Sequence, residues 1–320
     1  MSHKPAGWVI LLLASIVATT PLAIDMYLPA MPLMAQQLDT TIGMVQQSLS
    51  IFLAFFGVSM LICGPLADSL GRRPLAIFGL TGFVLASIAL SLVSSIEWFL
   101  AWRAVQALCG AAATVVVPGI VRHIYQEHTA KGMSYVSMIM MLAPLLAPAI
   151  GSGILWLANW QMIFVALASY ALLILLLSWR YLPETKTVTA HTAKPSFLSG
   201  YKVVFSNASA RPDIATSMFA SFSFFCFLTA VPFVYIKFFG VNEQQFSVLF
   251  GVNVAMLMLA NFINSRLVVR LGPQRMLRAG LAVAVVSASA LALFNFWNFD
   301  LVYTVLSIAP LMAFIITISF

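Results

Sequence analysis

The sequence predicts an all-α membrane protein, and three observations carry that prediction. Hydrophobic residues make up 62% of the chain and charged residues only 8%, whereas a soluble domain is about half apolar and about a quarter charged. So much apolar surface cannot be buried within the chain, and most of it must face lipid. The apolar residues gather into ten runs, each near the roughly 20 residues needed to cross a hydrocarbon core. The basic residues stand between the runs, concentrated on alternate connections.

The ten runs are 8–30, 43–64, 74–95, 97–120, 132–155, 160–182, 214–236, 245–265, 275–296 and 300–320. Each should be a helix, because a backbone in lipid must satisfy its polar groups within its own segment. One set of connections holds Lys4, Arg72, Arg73, Arg122, Lys131, Arg180, Lys186, Lys194, Lys202, Arg211, Arg266, Arg270, Arg275 and Arg278, fourteen of the sixteen basic residues. Lys237 lies on the other side and Arg103 within a run. Excess Lys and Arg mark the cytoplasmic side, so a multi-pass protein with a cytoplasmic N-terminus is expected.

Several function classes fall away. The net charge of +7 punctuates apolar runs and forms no basic patch interleaved with aromatics, so no nucleic-acid partner is expected. Cys63, Cys109 and Cys226 fall inside apolar runs without metal spacing. His3, His123, His128 and His191 fall in the basic connections, again without metal spacing. No metal, no cofactor and no enzyme is therefore expected. A channel would need a continuous polar lining, which these runs lack. A cleaved signal peptide is disfavoured, because the first run carries Asp25 and prolines and is followed by many more spans.

A repeat organises the chain. "QQSLSIF" (46–52) opens the second run and "QQFSVLF" (244–250) the eighth. "GPLADSLGRRPLA" (64–76) aligns with "SRLVVRLGPQRML" (265–277), bringing Leu66, Leu70 and Gly71 onto Leu267, Leu271 and Gly272. This predicts parallel halves, as in many transporters. The expected organisation is a six-helix half over 1–182, a cytoplasmic linker over 183–213 and a partial second half of four helices over 214–320. The second half stops at Phe320 inside an apolar run, so two further spans are expected beyond this sequence.

The stretch 64–76 reads as a tight hairpin between the second and third runs. Gly64 and Gly71 allow close approach or unusual turns, and Pro74 suits the first turn of a helix. Arg72 and Arg73 anchor the basic side. Asp68 reads either as a solvated loop charge or as a partner for exposed N–H groups or a base. Asp25 reads either as an interfacial acid beside Pro29 or as a functional intramembrane carboxylate. It lies about 17 residues, or ~25 Å, from the start of its run, in the outer half. Arg103 lies ~9 Å below the outer surface by the same arithmetic. Pairing of Asp25 with Arg103, directly, through water or through Gln106, is expected; the alternative is an Arg103 that snorkels outward. Ala143, Ala147 and Gly151 line one helix face beside the bending residues Pro144 and Pro148. Met138, Met140 and Met141 read as lipid-facing packing or a pocket for varied apolar ligands, Phe52, Phe55 and Phe56 as packing or a ligand stack, and Asn253 as an interhelical hydrogen bond or a substrate contact.

Four stretches then carry a resemblance. "GPLADSLGRRPLA" resembles the loop 2–3 signature of the major facilitator superfamily. "LAWRAVQALCGAA" (100–112) resembles its fourth-helix motif through Arg103 and Gln106, with Ala107 where glycine is usual. "LAPLLAPAIGSG" (142–153) resembles the fifth-helix motif of its antiporters, with Ala147 where glycine is usual. "AIDMYLPAMP" (23–32), holding Asp25 and Tyr27, resembles the first helix of the bicyclomycin-resistance and chloramphenicol-efflux branch (Bcr/CflA). The resemblance implies a major facilitator fold and a monomeric drug/proton antiporter of the bacterial inner membrane. Small-molecule drugs, protons and the lipid bilayer would be its partners, and the proton gradient its energy source without a cofactor. A proton-coupled exporter of a native metabolite (sugar, amino acid or nucleoside) is the alternative. It further implies a coupling and substrate site at Asp25, Tyr27, Arg103 and Gln106, a conformational gate at Gly64, Asp68, Gly71, Arg72 and Arg73, and an antiporter helix carrying Pro144, Pro148 and Gly151. Val269 replaces the acid in the second copy of the gate, so such a switch would be one-sided.

Overall fold

A computed structural model describes residues 7–126, 129–185, 205–208 and 211–296, and every regular element among them is helical. The chain divides into two compact units, Met1–Thr192 and Ala193–Phe320. The first contains α1 (Gly7–Asp25), a 3-10 turn (Leu28–Ala30), α2 (Met31–Gln37), α3 (Ile42–Leu70), α4 (Arg72–Leu92), α5 (Ile96–Thr114), α6 (Val117–Tyr125), α7 (Thr129–Leu157) and α8 (Gln161–Tyr181). The second contains α9 (Arg211–Pro232), a π-helical turn (Phe233–Phe238), α10 (Glu243–Leu271) and α11 (Pro273–Phe296).

Among the described residues, eight helical segments are long and apolar enough to span a membrane. A shorter apolar stretch, Gln244–Ala260, lies in α10. The expected run 300–320 lies outside the described residues, as does most of the expected linker. Two runs are broken where continuous helices were expected. α1 and α2 together form the segment Trp8–Gln37, interrupted after Asp25, and α5 and α6 form Ile96–Tyr125. Pro29 sits in the 3-10 turn and Pro118 in the first turn of α6, where a missing N–H is tolerated.

Local chemistry explains the helix ends. Thr41 has an extended backbone, and its hydroxyl accepts from the Met44 N–H at 3.2 Å, capping α3. α3 ends at Gly71, whose φ of +99° disfavours a side chain. The second hairpin therefore differs from its expectation. α3 runs on to Leu70, placing Gly64 and Asp68 on the helix, and the turn reduces to Gly71. Gly272, at φ +82°, joins α10 to α11 in the same way, and α3 and α10 both have 29 residues.

The first unit packs Leu13 and Ile16 of α1, Leu80 of α4, Ala113 of α5, Ile120 of α6 and Ile174 of α8 into one apolar core. Gly79 lets α4 and α5 touch, since a Cβ there would lie 2.6 Å from the Cys109 carbonyl oxygen and the Ala113 nitrogen. Large side chains such as Phe78, Leu92, Trp156 and Leu157 remain more than two-thirds exposed. In water such surface would be a liability; in lipid it is the solvated face.

Candidate functional site

The break after Asp25 builds the site. The last carbonyls of a helix lack intrahelical partners. Ala23 is among them in α1, and its carbonyl oxygen accepts from Arg103 Nη1 of α5 at 3.1 Å. A cation at a helix C-terminus also opposes the helix dipole favourably. The same Nη1 donates to Gln106 Oε1 at 2.7 Å, and Gln106 Nε2 donates to Ser87 Oγ of α4 at 2.8 Å. The Ser87 hydroxyl in turn donates to the Phe83 carbonyl at 2.7 Å. Arg103, Gln106 and Ser87 are all fully buried.

Aromatic faces hold the cation. The guanidinium carbon lies 4.5 Å from the ring centroids of both Tyr27 and Phe52, within cation–π range. The Ser48 hydroxyl donates to the Val45 carbonyl at 2.6 Å, so its oxygen accepts from the Tyr27 hydroxyl at 3.0 Å. Phe99, Trp160 and Phe164 continue the cluster, with Phe99 and Phe164 each packing against Tyr27.

Asp25 is buried at 4% exposure, and its Oδ1 has no hydrogen-bond partner among the described residues. The direct form of the expected Asp25–Arg103 pair is absent: among the described residues the ion pair within 4.0 Å is Arg72–Asp68. Arg103 instead uses the Ala23 carbonyl and Gln106, because the helix break frees that carbonyl. Its Nε and Nη2 have no hydrogen-bond partner among the described residues. The arrangement couples a buried cation to the backbone that ends in a buried carboxyl. That carboxyl can exchange a proton or accept a hydrogen bond.

α7 closes over the break. A Cβ at Gly151 would strike the Met26 carbonyl, so only glycine permits this approach. Ala147 and Pro148 are buried in the same helix, and Pro144 is half-buried. The side chains of Met138 and Met141 lie outside the described residues.

The Gly71 turn is a separate cluster at the other end of α3. Arg72 Nη1 donates to the Gly119 carbonyl at 3.0 Å and to Thr185 Oγ1 at 3.5 Å. Arg72 Nη2 lies 3.5 Å from Asp68 Oδ1; Arg72 is 15% exposed and Asp68 68%. Arg73 donates to the Trp179 carbonyl. Thr185, expected in the linker, is buried here, and a Cβ at Gly71 would lie 3.0 Å from Glu184 Oε1. Gly64 lies within α3, half-buried.

Sequence reasoning missed Ser48, Ser87 and the Ala23 carbonyl at the first site, and the Gly119 carbonyl at the second. A small polar residue inside an apolar run was the available signal for the serines. Nothing local marks a carbonyl that a helix break will release.

A family model of the Major Facilitator Superfamily matches residues 13–320. A bicyclomycin resistance protein homolog of Haemophilus influenzae is 34% identical over 93% of this chain and 77% of its own length. A chloramphenicol resistance protein of Pseudomonas aeruginosa is 33% identical over 93% of this chain and 72% of its own. Among solved structures, a D-xylose–proton symporter superposes with a TM-score of 0.75 at 15% identity, covering 97% of this chain and 80% of its own. A nucleoside transporter, NupG, gives 0.72 at 14% identity, covering 97% and 80%. The fold and these relatives define a membrane transporter rather than an enzyme. The chain belongs to the Major Facilitator Superfamily.

Proposed function

We propose that this chain forms the translocating part of a proton-coupled carrier of small organic solutes, working by alternating access within the Bcr/CflA branch. One observation carries the reading: Asp25 is a buried carboxyl with an unpartnered oxygen, at a helix break beside a buried cation. Intramembrane ionisable residues mark ion and substrate pathways. In this reading a proton from outside neutralises Asp25 and helps reset the carrier. Arg103 and Gln106 hold the broken helix in place, and Tyr27 covers the cation. The Gly71 turn, with Gly64, Asp68, Arg72 and Arg73, acts as the conformational gate. Pro144, Pro148 and Gly151 make α7 a pliable seal between the halves. Residues 1–182 and 214–320 act as the moving halves, joined by 183–213. The basic connections support a cytoplasmic N-terminus, and the bacterial relatives support an inner-membrane location.

For the solute, we rank a native small metabolite first and drugs second. The buried cluster offers hydrogen-bonding groups, Asp25 Oδ1 and Arg103 Nε and Nη2, which suit a polar solute better than a broadly apolar one. The two relatives named for bicyclomycin and chloramphenicol resistance support the drug reading. The solved carriers named for D-xylose and nucleosides share the fold, which therefore serves native solutes as well. The test is export of a panel of sugars, amino acids, nucleosides and drugs from cells carrying the intact gene, with and without a proton gradient. Gradient-dependent export of a metabolite supports the first ranking. Export of drugs alone reverses it, and export indifferent to the gradient removes proton coupling.

A further inference from the structure

We propose that the Tyr235–Asn253 pair is a ligand-binding station in the second unit. It takes a neutral group that both donates and accepts a hydrogen bond, such as a hydroxyl or an amide. The inference rests on the carrier reading above and narrows its solute chemistry.

Asn253 of α10 is 1% exposed and Tyr235 of the π turn is fully buried. Asn253 Nδ2 donates to the Tyr235 hydroxyl oxygen at 3.1 Å. Asn253 Oδ1 has no partner among the described residues. The Tyr235 oxygen accepts that bond, so its own proton stays available. Turning the amide over does not change the account. Tyr235 would then donate to Oδ1, leaving an amide N–H and a phenol lone pair. In either orientation the pair satisfies one bond and keeps at least one donor and one acceptor side by side. Packing alone does not require this, since leaving buried polar groups unsatisfied costs stability.

The backbone departs from a regular α-helix at this point. Residues Phe233–Phe238 form a π-helical turn directly after Pro232. Such turns are rare and recur at functional sites. The Phe239 N–H reaches back to the Val234 carbonyl at 3.1 Å and the Val241 N–H to the Tyr235 carbonyl at 3.0 Å. Tyr235 thus sits in the π turn that ends this span, where the hydrogen-bond ladder departs from that of a regular α-helix.

The first unit contains a similar buried pair with different chemistry, at positions that the repeat does not match. There a buried tyrosine, Tyr27, also stands at the interrupted end of the first helix and bonds a polar side chain, Ser48, on α3. Asp25 stands two residues before Tyr27, whereas Phe233 stands two residues before Tyr235. The π turn itself holds no acid, and its one charged residue, Lys237, is exposed, so the Tyr235–Asn253 pair suits a neutral group and is not a proton carrier.

The test is equilibrium binding to the purified, gene-length protein in detergent. The probes are chloramphenicol and uridine, which carry hydroxyls and an amide-type N–H, and tetraphenylphosphonium, which carries neither. The proteins are wild type, Tyr235→Phe and Asn253→Leu, with melting curves run beside them. At least one neutral probe should bind wild type and lose about tenfold in affinity in each variant, the equivalent of one good hydrogen bond. Tetraphenylphosphonium binding should not change. Three results would overturn the proposal: neutral probes that bind the variants as tightly as wild type, all probes weakening alike in Tyr235→Phe, or no neutral probe binding wild type. If binding behaves as expected but no solute moves protons, the proton-coupled reading fails and this station stands.

Discussion

Arg103 donates to the carbonyl of Ala23 at 3.1 Å, tying the middle of one helix to the broken end of another. The bond lies two residues before Asp25 and four before Tyr27, so the guanidinium organises the whole break. Replacing Arg103 with alanine should leave the Ala23 carbonyl and Gln106 Oε1 without their donor. The expected loss is about 2–4 kcal/mol, in line with buried hydrogen bonds to a charged group. Arg103→Lys should recover only part of it, because an ammonium lacks the planar fork and stacks poorly between Tyr27 and Phe52. Thermal melting in detergent checks the order: wild type above lysine above alanine.

Gly151 faces the Met26 carbonyl too closely for any side chain. Gly151→Ala should therefore push α7 from the break and cost about 1–3 kcal/mol, the range for overpacking. Gly153, two residues along, has open space where its Cβ would lie. Gly153→Ala is the matched control and should melt as wild type does. Equal melting points for both variants would contradict the contact.

The two glycine turns separate backbone strain from contact. Gly71 and Gly272 both adopt positive φ, so alanine at either should cost about 1–3 kcal/mol. A Cβ at Gly71 would also lie against the Glu184 carboxyl, whereas among the described residues nothing lies within 4 Å of where a Cβ at Gly272 would stand. Gly71→Ala should be the more destabilising of the pair, and Glu184→Ala should narrow the gap. Melting points of the single and double variants supply the measurement.

Asp68 and Arg72 should behave differently although they face each other. Asp68 is largely exposed, and an exposed pair contributes at most about 1 kcal/mol. Asp68→Asn should leave stability almost unchanged while slowing turnover more than it weakens solute binding, if the turn gates the cycle. Arg72→Ala should lower stability clearly, since it strips the donor from the Gly119 carbonyl. Unchanged turnover in Asp68→Asn would reduce that residue to a solvated charge.

Much of the helical frame was legible because lipid imposes one simple demand, a long apolar helix per crossing. Gly71 was legible as a turn for a similar reason, since few residues other than glycine accept its backbone. The length of α3 was not. Pro65 and Asp68 read as loop residues, yet proline is tolerated inside a membrane helix and the helix runs on to Leu70. At the candidate site, Arg103, Gln106 and Asp25 stood out as polar residues in apolar surroundings. Their partners did not, because the Ala23 carbonyl is set free only by the break that follows it. Depth alone allowed a direct Asp25–Arg103 pair, but depth says nothing of direction around the helix. Gly151 was readable as a packing residue, while its partner, a backbone oxygen 125 positions away, was not.

The central claim is that Asp25 carries the coupled proton. Asparagine nearly matches its shape but cannot exchange that proton with solvent, and removing an intramembrane charge should not prevent insertion. The measurement is solute-induced proton release from purified wild-type and Asp25→Asn protein, using a solute that binds both. The account predicts release from wild type and none from Asp25→Asn. Wild-type release from Asp25→Asn would contradict it and move the coupling group elsewhere in the chain.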